Sequence, residues 1–150
     1  MESLNVTEIK KGDLIFSEGS SDPVLYEVEY GTIGIYKGYG TDKAVKLTEI
    51  TDGYFGESGL AENGVRIASA VAETDSGVIR LDAESMKEYF TENPFKLDVL
   101  LQDLSRRLRS QDRRYIDACK YIDQLMEAEE SGSTLDPEAI KSMKELISGK

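Results

Sequence analysis

Tyr54-Phe-Gly-Glu-Ser-Gly-Leu-Ala-Glu-Asn-Gly-Val-Arg-Ile-Ala-Ser69 sets three glycines (Gly56, Gly59, Gly64), one acid (Glu57) and one arginine (Arg66) between two strand-like runs. A turn so rich in glycine lets backbone N–H groups converge, and converging N–H groups make an anion site. Arg66 adds a planar fork of donors that matches two oxygens of a phosphate. Glu57 accepts hydrogen bonds when ionised, so it suits a hydroxyl and not a phosphate. An anion site beside a hydroxyl acceptor points to a nucleotide.

Outward from this turn, residues 4 to 82 read as all-β. Short apolar runs recur at Leu4–Ile9, Leu14–Phe16, Val24–Tyr30, Ile33–Tyr36, Val45–Ile50, Ile67–Ala72 and Val78–Leu81, each closed by glycine or aspartate. That spacing predicts a sandwich or barrel. Tyr26, Val28 and Tyr30 alternate with Glu27 and Glu29, which predicts one dry and one wet face.

The period changes at Asp82, a candidate N-cap, after which Met86, Tyr89 and Phe90 share a helical face. Asn93-Pro94 ends that helix and opens another, expected to run to about Glu130 and to span ~50 Å. Along it Leu97, Leu101, Leu104, Leu108, Gln111, Tyr115, Ala118, Ile122 and Leu125 step by four and three, the spacing of a coiled-coil seam. Packing against its own domain is the alternative, above all near Leu97 to Leu104. Residues 131–134 read as a flexible link. Asp136-Pro137 opens a last amphipathic helix with Ile140, Met143 and Ile147 on one face, for packing in cis or for docking a partner.

The bulk composition narrows the function. The 150 residues carry a net charge of −11, no histidine and a single cysteine, Cys119. Metal sites built from histidine and cysteine and histidine-based triads are excluded, as is an internal disulfide. Acidity disfavours nucleic acid, and no apolar run reaches the ~18 residues of a membrane span. No secretory leader is legible either, so a cytoplasmic protein is expected.

Beyond these readings, the chain resembles the cyclic nucleotide-binding domain of catabolite-activator and FNR-like regulators, protein kinase A regulatory subunits and cyclic-nucleotide-gated channels. The resemblance covers about residues 4 to 125. It is carried by Lys11-Gly-Asp-Leu-Ile-Phe-Ser-Glu-Gly19, Leu25-Tyr26 leading to Gly31, Gly53-Tyr-Phe-Gly-Glu57, Arg66-Ile-Ala-Ser69, Asn93-Pro94 and Arg106-Arg-Leu108. It implies an eight-stranded β-roll (a jelly roll) followed by a long helix and, here, a short tail helix. In that family's phosphate cassette Glu57 would take the ribose 2′-hydroxyl and Arg66 the cyclic phosphate. The backbone of Gly56, Ser58, Gly59, Leu60, Ile67 and Ala68 and the Ser69 hydroxyl would complete the anion site, with Gln111 or Asp112 near the base. Val65 replaces a proline common in the family. Ile67 stands where guanine-selective members tend to carry threonine, which leans towards cyclic AMP, while Asp112 leans towards guanine. The expected function is a regulatory sensor that binds a cyclic nucleotide and rearranges its C-terminal helices, with no enzymatic activity and no cofactor. The alternative is a roll that has lost nucleotide binding, or takes another small anion, and works through dimerisation.

Arg106, Arg107, Arg109, Arg113 and Arg114 form the chain's basic cluster. In the heptad register Arg107 and Asp112 stand in the g-to-e′ relation of a parallel dimer. A homodimer through Leu101, Leu104, Leu108, Gln111, Tyr115, Ala118, Ile122 and Leu125 is therefore expected. No attached effector is legible, and a separate protein effector is left open. The domain expectation is residues 1–130 for the nucleotide-binding domain and 131–150 for the link and tail.

Overall fold

Eight short strands form before the first helix: β1 (Val6–Ile9), β2 (Leu14–Phe16), β3 (Leu25–Tyr30), β4 (Ile33–Lys37), β5 (Val45–Ile50), β6 (Gly53–Phe55), β7 (Ser69–Ala72) and β8 (Ser76–Leu81). They are followed by α1 (Ala83–Glu92), α2 (Pro94–Ser131) and α3 (Pro137–Ser148). The computed structural model describes residues 5–61 and 63–148, so the expected contributions of Leu4 and of the Ile147 side chain lie outside it. The chain divides into two compact units at Asp103/Leu104, inside α2.

In the first unit the strands make two four-stranded antiparallel sheets, ordered β1-β8-β3-β6 and β2-β7-β4-β5. This is the eight-stranded roll that the resemblance implied. Its core gathers Phe16, Tyr26, Val28, Ile33, Phe55, Ala70 and Val78 from both sheets. The turns need glycine where the backbone turns left-handed, as at Gly31, whose φ is 91° and whose missing Cβ would fall 2.2 Å from Ser76 Oγ.

Three local expectations change. The apolar runs predict no strand between Ile50 and Ile67, yet Gly53 begins β6, which pairs with β3 from Tyr26 to Val28. A three-residue strand is too short for alternation to reveal. Second, the expected strand Ile67–Ala72 begins only at Ser69, because the preceding backbone is bound elsewhere. Third, the two faces of β3 are less simple than wet and dry. Tyr26 and Val28 are buried as expected, but a register shift after Val28 leaves Tyr30 48% exposed. Glu27, expected in water, has a side chain only 12% exposed.

Helix α1 starts where Asp82 accepts from Ser85 N at 2.9 Å. Its bonds, with that of Ser85 Oγ, hold the Asp82 carboxyl below the usual carboxylate range. Asn93 caps its end by donating through its backbone N–H to Tyr89 O at 2.9 Å, and Pro94 opens α2. Phe90 rests on Tyr54 with ring centroids 6.0 Å apart. Glu27 accepts from the Tyr89 hydroxyl and pairs with Lys96 at 3.0 Å. These contacts fasten α1 and the first turn of α2 to β3 and β6.

In the second unit α3 returns along α2. Arg114 Nη2 donates to Leu146 O at 3.3 Å. Leu135, Ala139, Met143 and Leu146 are half-buried, as are Ala118, Tyr121 and Ala128 of α2. The tail helix therefore packs in cis. It leaves most of the expected seam in water: Leu108 is 59% exposed, Tyr115 72%, Ile122 54% and Leu125 46%.

Candidate functional site

The turn between β6 and β7 folds around the side chain of Arg66, which is 1% exposed and is the largest fully buried side chain described. Its backbone is fixed first: Arg66 N donates to Ser20 O and Gly19 N donates to Arg66 O, each at 2.8 Å. A bridge between Ser21 and Val65 extends this stitching. The segment Ser17–Ser21 thus acts as a template for the arginine, which explains why the Ser-Glu-Gly motif belongs to the site although no side chain of it was expected to touch ligand. Gly19 adopts a φ of 81°, open to glycine and strained for other residues.

The guanidinium is positioned on all sides but one. Nη1 donates to Gly56 O, and Nη2 donates to Val24 O at 2.8 Å. The Asp22 carboxylate stands 3.5 Å from Nη2. Cζ lies 4.0 Å from the Phe16 ring centroid and 5.8 Å from that of Tyr26, a stacking that suits a delocalised cation. Nε has no hydrogen-bond partner among the described residues, although it is buried. A buried donor left open is costly, and the group that closes it must bring an acceptor.

Two glycines allow this packing. A Cβ on Gly56 would fall 2.8 Å from Arg66 Nη1, and one on Gly59 would fall 2.4 Å from Asp22 O and 2.5 Å from Nη1. Gly56 has a φ of 84°, and a four-residue 3-10 turn, Glu57–Leu60, follows it. Within that turn Gly59 is buried, Ser58 half-buried, and Glu57 and Leu60 lie towards water.

The remaining expected residues spread over three places. Ala68 is buried close to the arginine in sequence, while Ile67 is 65% exposed and its carbonyl accepts from Lys37 Nζ at 2.9 Å. Ser69 is buried, but its Oγ accepts from Glu18 N at 2.9 Å, and it lines an open groove with Leu14, Ser17, Glu18 and Tyr39. Gln111 and Asp112 are exposed and belong to the second unit, whereas Arg66 and the turn belong to the first.

Sequence reasoning missed Asp22, Val24 and Phe16. Asp22 also lies 3.6 Å from Arg80 Nη2 and accepts from the Tyr26 hydroxyl at 3.4 Å. Burial, and then the Asp22 charge, push the Tyr26 phenol above its ordinary pKa. The available signal was weak: Asp22-Pro23 looks like any exposed turn, and a backbone carbonyl such as Val24 O carries no side-chain mark at all.

Chemically this is a buried cationic centre with one unfilled donor, an aromatic wall and two glycines packed against its edge. Among the described residues no three acids or cysteines are grouped to hold a metal, and no helix is long and apolar enough to cross a membrane.

Comparison with known proteins gives the arrangement its relatives. The sequence model of the cyclic nucleotide-binding domain matches residues 6–93. A cAMP-dependent protein kinase regulatory subunit of Debaryomyces hansenii is 29% identical over 112 residues, covering 73% of this chain and 24% of that protein. A CRP-like cAMP-activated global transcriptional regulator of Mycobacterium tuberculosis is 25% identical over 77% of this chain and 52% of its own length. The crystal structure of Thermus thermophilus catabolite activator protein superposes with a TM-score of 0.65 at 27% identity, over 78% of this chain and 55% of that one. The chain therefore spans about a quarter of the first of these relatives and about half of the others.

Proposed function

This chain belongs to the cyclic nucleotide-binding domain family, and on that premise we propose that it is a non-enzymatic sensor whose ligand is a cyclic nucleotide held at Arg66 and Glu57. One observation carries the proposal: the buried Arg66 Nε, a charge-assisted donor without an acceptor. An exocyclic phosphate oxygen would satisfy it, and a neutral ligand would match the guanidinium's charge less well. Glu57, at the exposed start of the 3-10 turn, would accept the ribose hydroxyl. Gly56, Ser58, Gly59, Leu60, Ile67 and Ala68 would frame the phosphate, with Ser69 behind them. Ile67 offers no side-chain hydrogen bond to a guanine amino group, which favours cyclic AMP. The kinase subunit and the transcriptional regulator named above are cAMP proteins by name, which supports the same ligand.

Because Arg66 is 1% exposed, entry of the ligand requires the Glu57–Leu60 turn to lift. That turn follows β6 directly, and β6 contacts α1 through Tyr54 and Phe90. Binding would therefore shift α1 and α2, and through them a pairing of α2 with a second copy of the chain. A switch of this kind needs only a ligand whose affinity differs between the two arrangements.

The same burial favours a second reading, in which Arg66 is a structural post and the roll acts through helix pairing alone. Calorimetric titration with cyclic AMP, cyclic GMP and a cyclic dinucleotide separates the two. Wild type should bind one of them, and Arg66→Lys, which keeps the charge but loses the fork, should weaken it about ten- to a hundredfold. Absence of heat with all three ligands, or equal affinity in the variant, would sink the nucleotide reading.

A further inference from the structure

We infer that α2 presents a basic ridge that holds an acidic helical segment of a partner protein. Arg106, Arg109, Arg113, Ile116 and Lys120 step by three and four, so they share one face of the helix over about 21 Å. All five are exposed, Ile116 by 52%, and all lie in the second unit. This face is neither of the two already described. The tail helix packs on the flank of Ala118, Tyr121 and Ala128, with Arg114 bonded to Leu146 O, and the row from Leu104 to Leu125 occupies another side of α2. Neither draws on the ridge.

Five of the chain's seven arginines fall within residues 106–114, a net +4 after Asp112 is counted, so the rest of the chain carries −15. A helix face that needed only solubility would mix its signs, because like charges three or four residues apart repel. Arg106, Arg109 and Arg113 are such neighbours, and Asp112 and Asp117 stand to either side of the row and not within it. An incoming anion relieves that repulsion. Arginine also suits a particular anion: its planar fork holds a carboxylate through two parallel bonds, which lysine cannot do. Ile116, between Arg113 and Lys120, adds one apolar contact among the charges.

Spacing and charge select the partner. A second helix with carboxylates at the same three-and-four steps lies along the ridge, as charged flanking residues do beside a coiled-coil seam. Duplex nucleic acid or an anionic membrane extends far past the ridge and meets the surrounding negative charge within a Debye length of about 8 Å. An acidic helix of matching length meets the ridge alone. The inference goes beyond the nucleotide reading and does not depend on it.

Fluorescence anisotropy with the full chain tests this at about 0.15 M salt. The probe is a fluorescein-labelled synthetic helix of roughly 18 residues, with glutamates at three-and-four steps and one leucine to meet Ile116. A twin peptide with glutamine for every glutamate, a DNA duplex and phosphatidylserine vesicles are the comparators. The glutamate peptide should bind, the twin should not, and duplex and vesicles should bind more weakly than the peptide. A chain carrying Arg106→Lys, Arg109→Lys and Arg113→Lys together keeps the charge and loses the forks, so it should bind about three- to tenfold more weakly. These positions are exposed, and a circular-dichroism melt that matches wild type separates lost binding from lost fold. A chain with Arg109→Glu and Arg113→Glu should release the glutamate peptide and take up one with lysines in its place. No binding of the glutamate peptide, equal binding by the lysine variant, or tighter binding of duplex or vesicles overturns the inference. None of these outcomes bears on nucleotide binding at Arg66, in the other unit.

Discussion

Replacing Arg66 by alanine should cost the roll stability even with no ligand present. The guanidinium donates to Gly56 O and to Val24 O at 2.8 Å and lies 4.0 Å from the Phe16 ring. A hydrogen bond from a charged donor contributes about 1.5–3 kcal/mol, and stacking on an aromatic face about 0.5–2 kcal/mol. Against this, removing the charge recovers part of the desolvation cost of burying it, and the Asp22 pair at 3.5 Å is loose. The balance is a loss of about 2–4 kcal/mol. That is a large share of a stability on the order of 5–15 kcal/mol. With a urea slope of about 2 kcal/mol per molar, the unfolding midpoint should fall by about 1–2 M. Tyrosine fluorescence is a suitable signal, because six of the eight tyrosines lie in the first unit and no tryptophan obscures them. Should the alanine variant unfold at the wild-type midpoint, the arginine is not bonded as described and the account of the site fails. The same cost makes Arg66→Lys the better variant for ligand titration, since a site that has come apart reports nothing about phosphate.

Gly59→Ala should be damaging although its backbone is not left-handed: the new Cβ would meet Asp22 O at 2.4 Å and Arg66 Nη1 at 2.5 Å. Overpacking of this kind costs about 1–3 kcal/mol, and calorimetry should show ligand affinity falling together with the thermal midpoint; a variant that keeps both would contradict the packing. Burial, and then the Glu27 charge, push the Tyr54 phenol well above its ordinary pKa; burial and its bond to Glu27 do the same to Tyr89. Folded phenols that hold their protons more tightly than unfolded ones leave stability untouched below the unfolded pKa of ~10 and reduce it as pH rises beyond. The phenols' share of stability should therefore be constant up to about pH 10 and then decline, and Tyr89→Phe should make the decline shallower; an unchanged slope in urea titrations above about pH 10 would argue against the bond between Tyr89 and Glu27.

Much of the architecture was legible because its signals are local. Asp82 as a cap, Asn93-Pro94 as a break and the four-three stepping of α2 each depend on neighbours in sequence, and each is where it was expected. The site was legible only as a pair of charges. Glu57 and Arg66 stood out as polar residues in a glycine-rich turn, but the groups that hold Arg66 are a carbonyl 42 residues away, a glycine carbonyl and a ring on β2. Such partners come from the crossing of two sheets, which no periodicity encodes. Glu27 shows the opposite error: alternation placed it in water, and only the arrival of Tyr89 and Lys96, more than 60 residues later, buries it.

The shortest strand links these parts. Successive residues of a strand point to opposite faces. On β6, Phe55 points inward and stacks on Tyr26 at 5.1 Å, next to the ring of Phe16 that supports Arg66. Tyr54 points outward and meets Phe90 of α1. Gly56, directly after Phe55, accepts the Arg66 Nη1 bond through its carbonyl. A turn that lifts to admit an anion must therefore pull on β6 from its C-terminal end, and β6 has only three residues and one partner strand, β3, with which to resist. Such a pull would reach Tyr54, whose neighbours include Glu27, which accepts from Tyr89 and pairs with Lys96. Weak pairing at this strand is thus the property that would let occupancy at Arg66 be felt at the helices; a longer, doubly paired strand would hold the site and the helices equally well and transmit nothing.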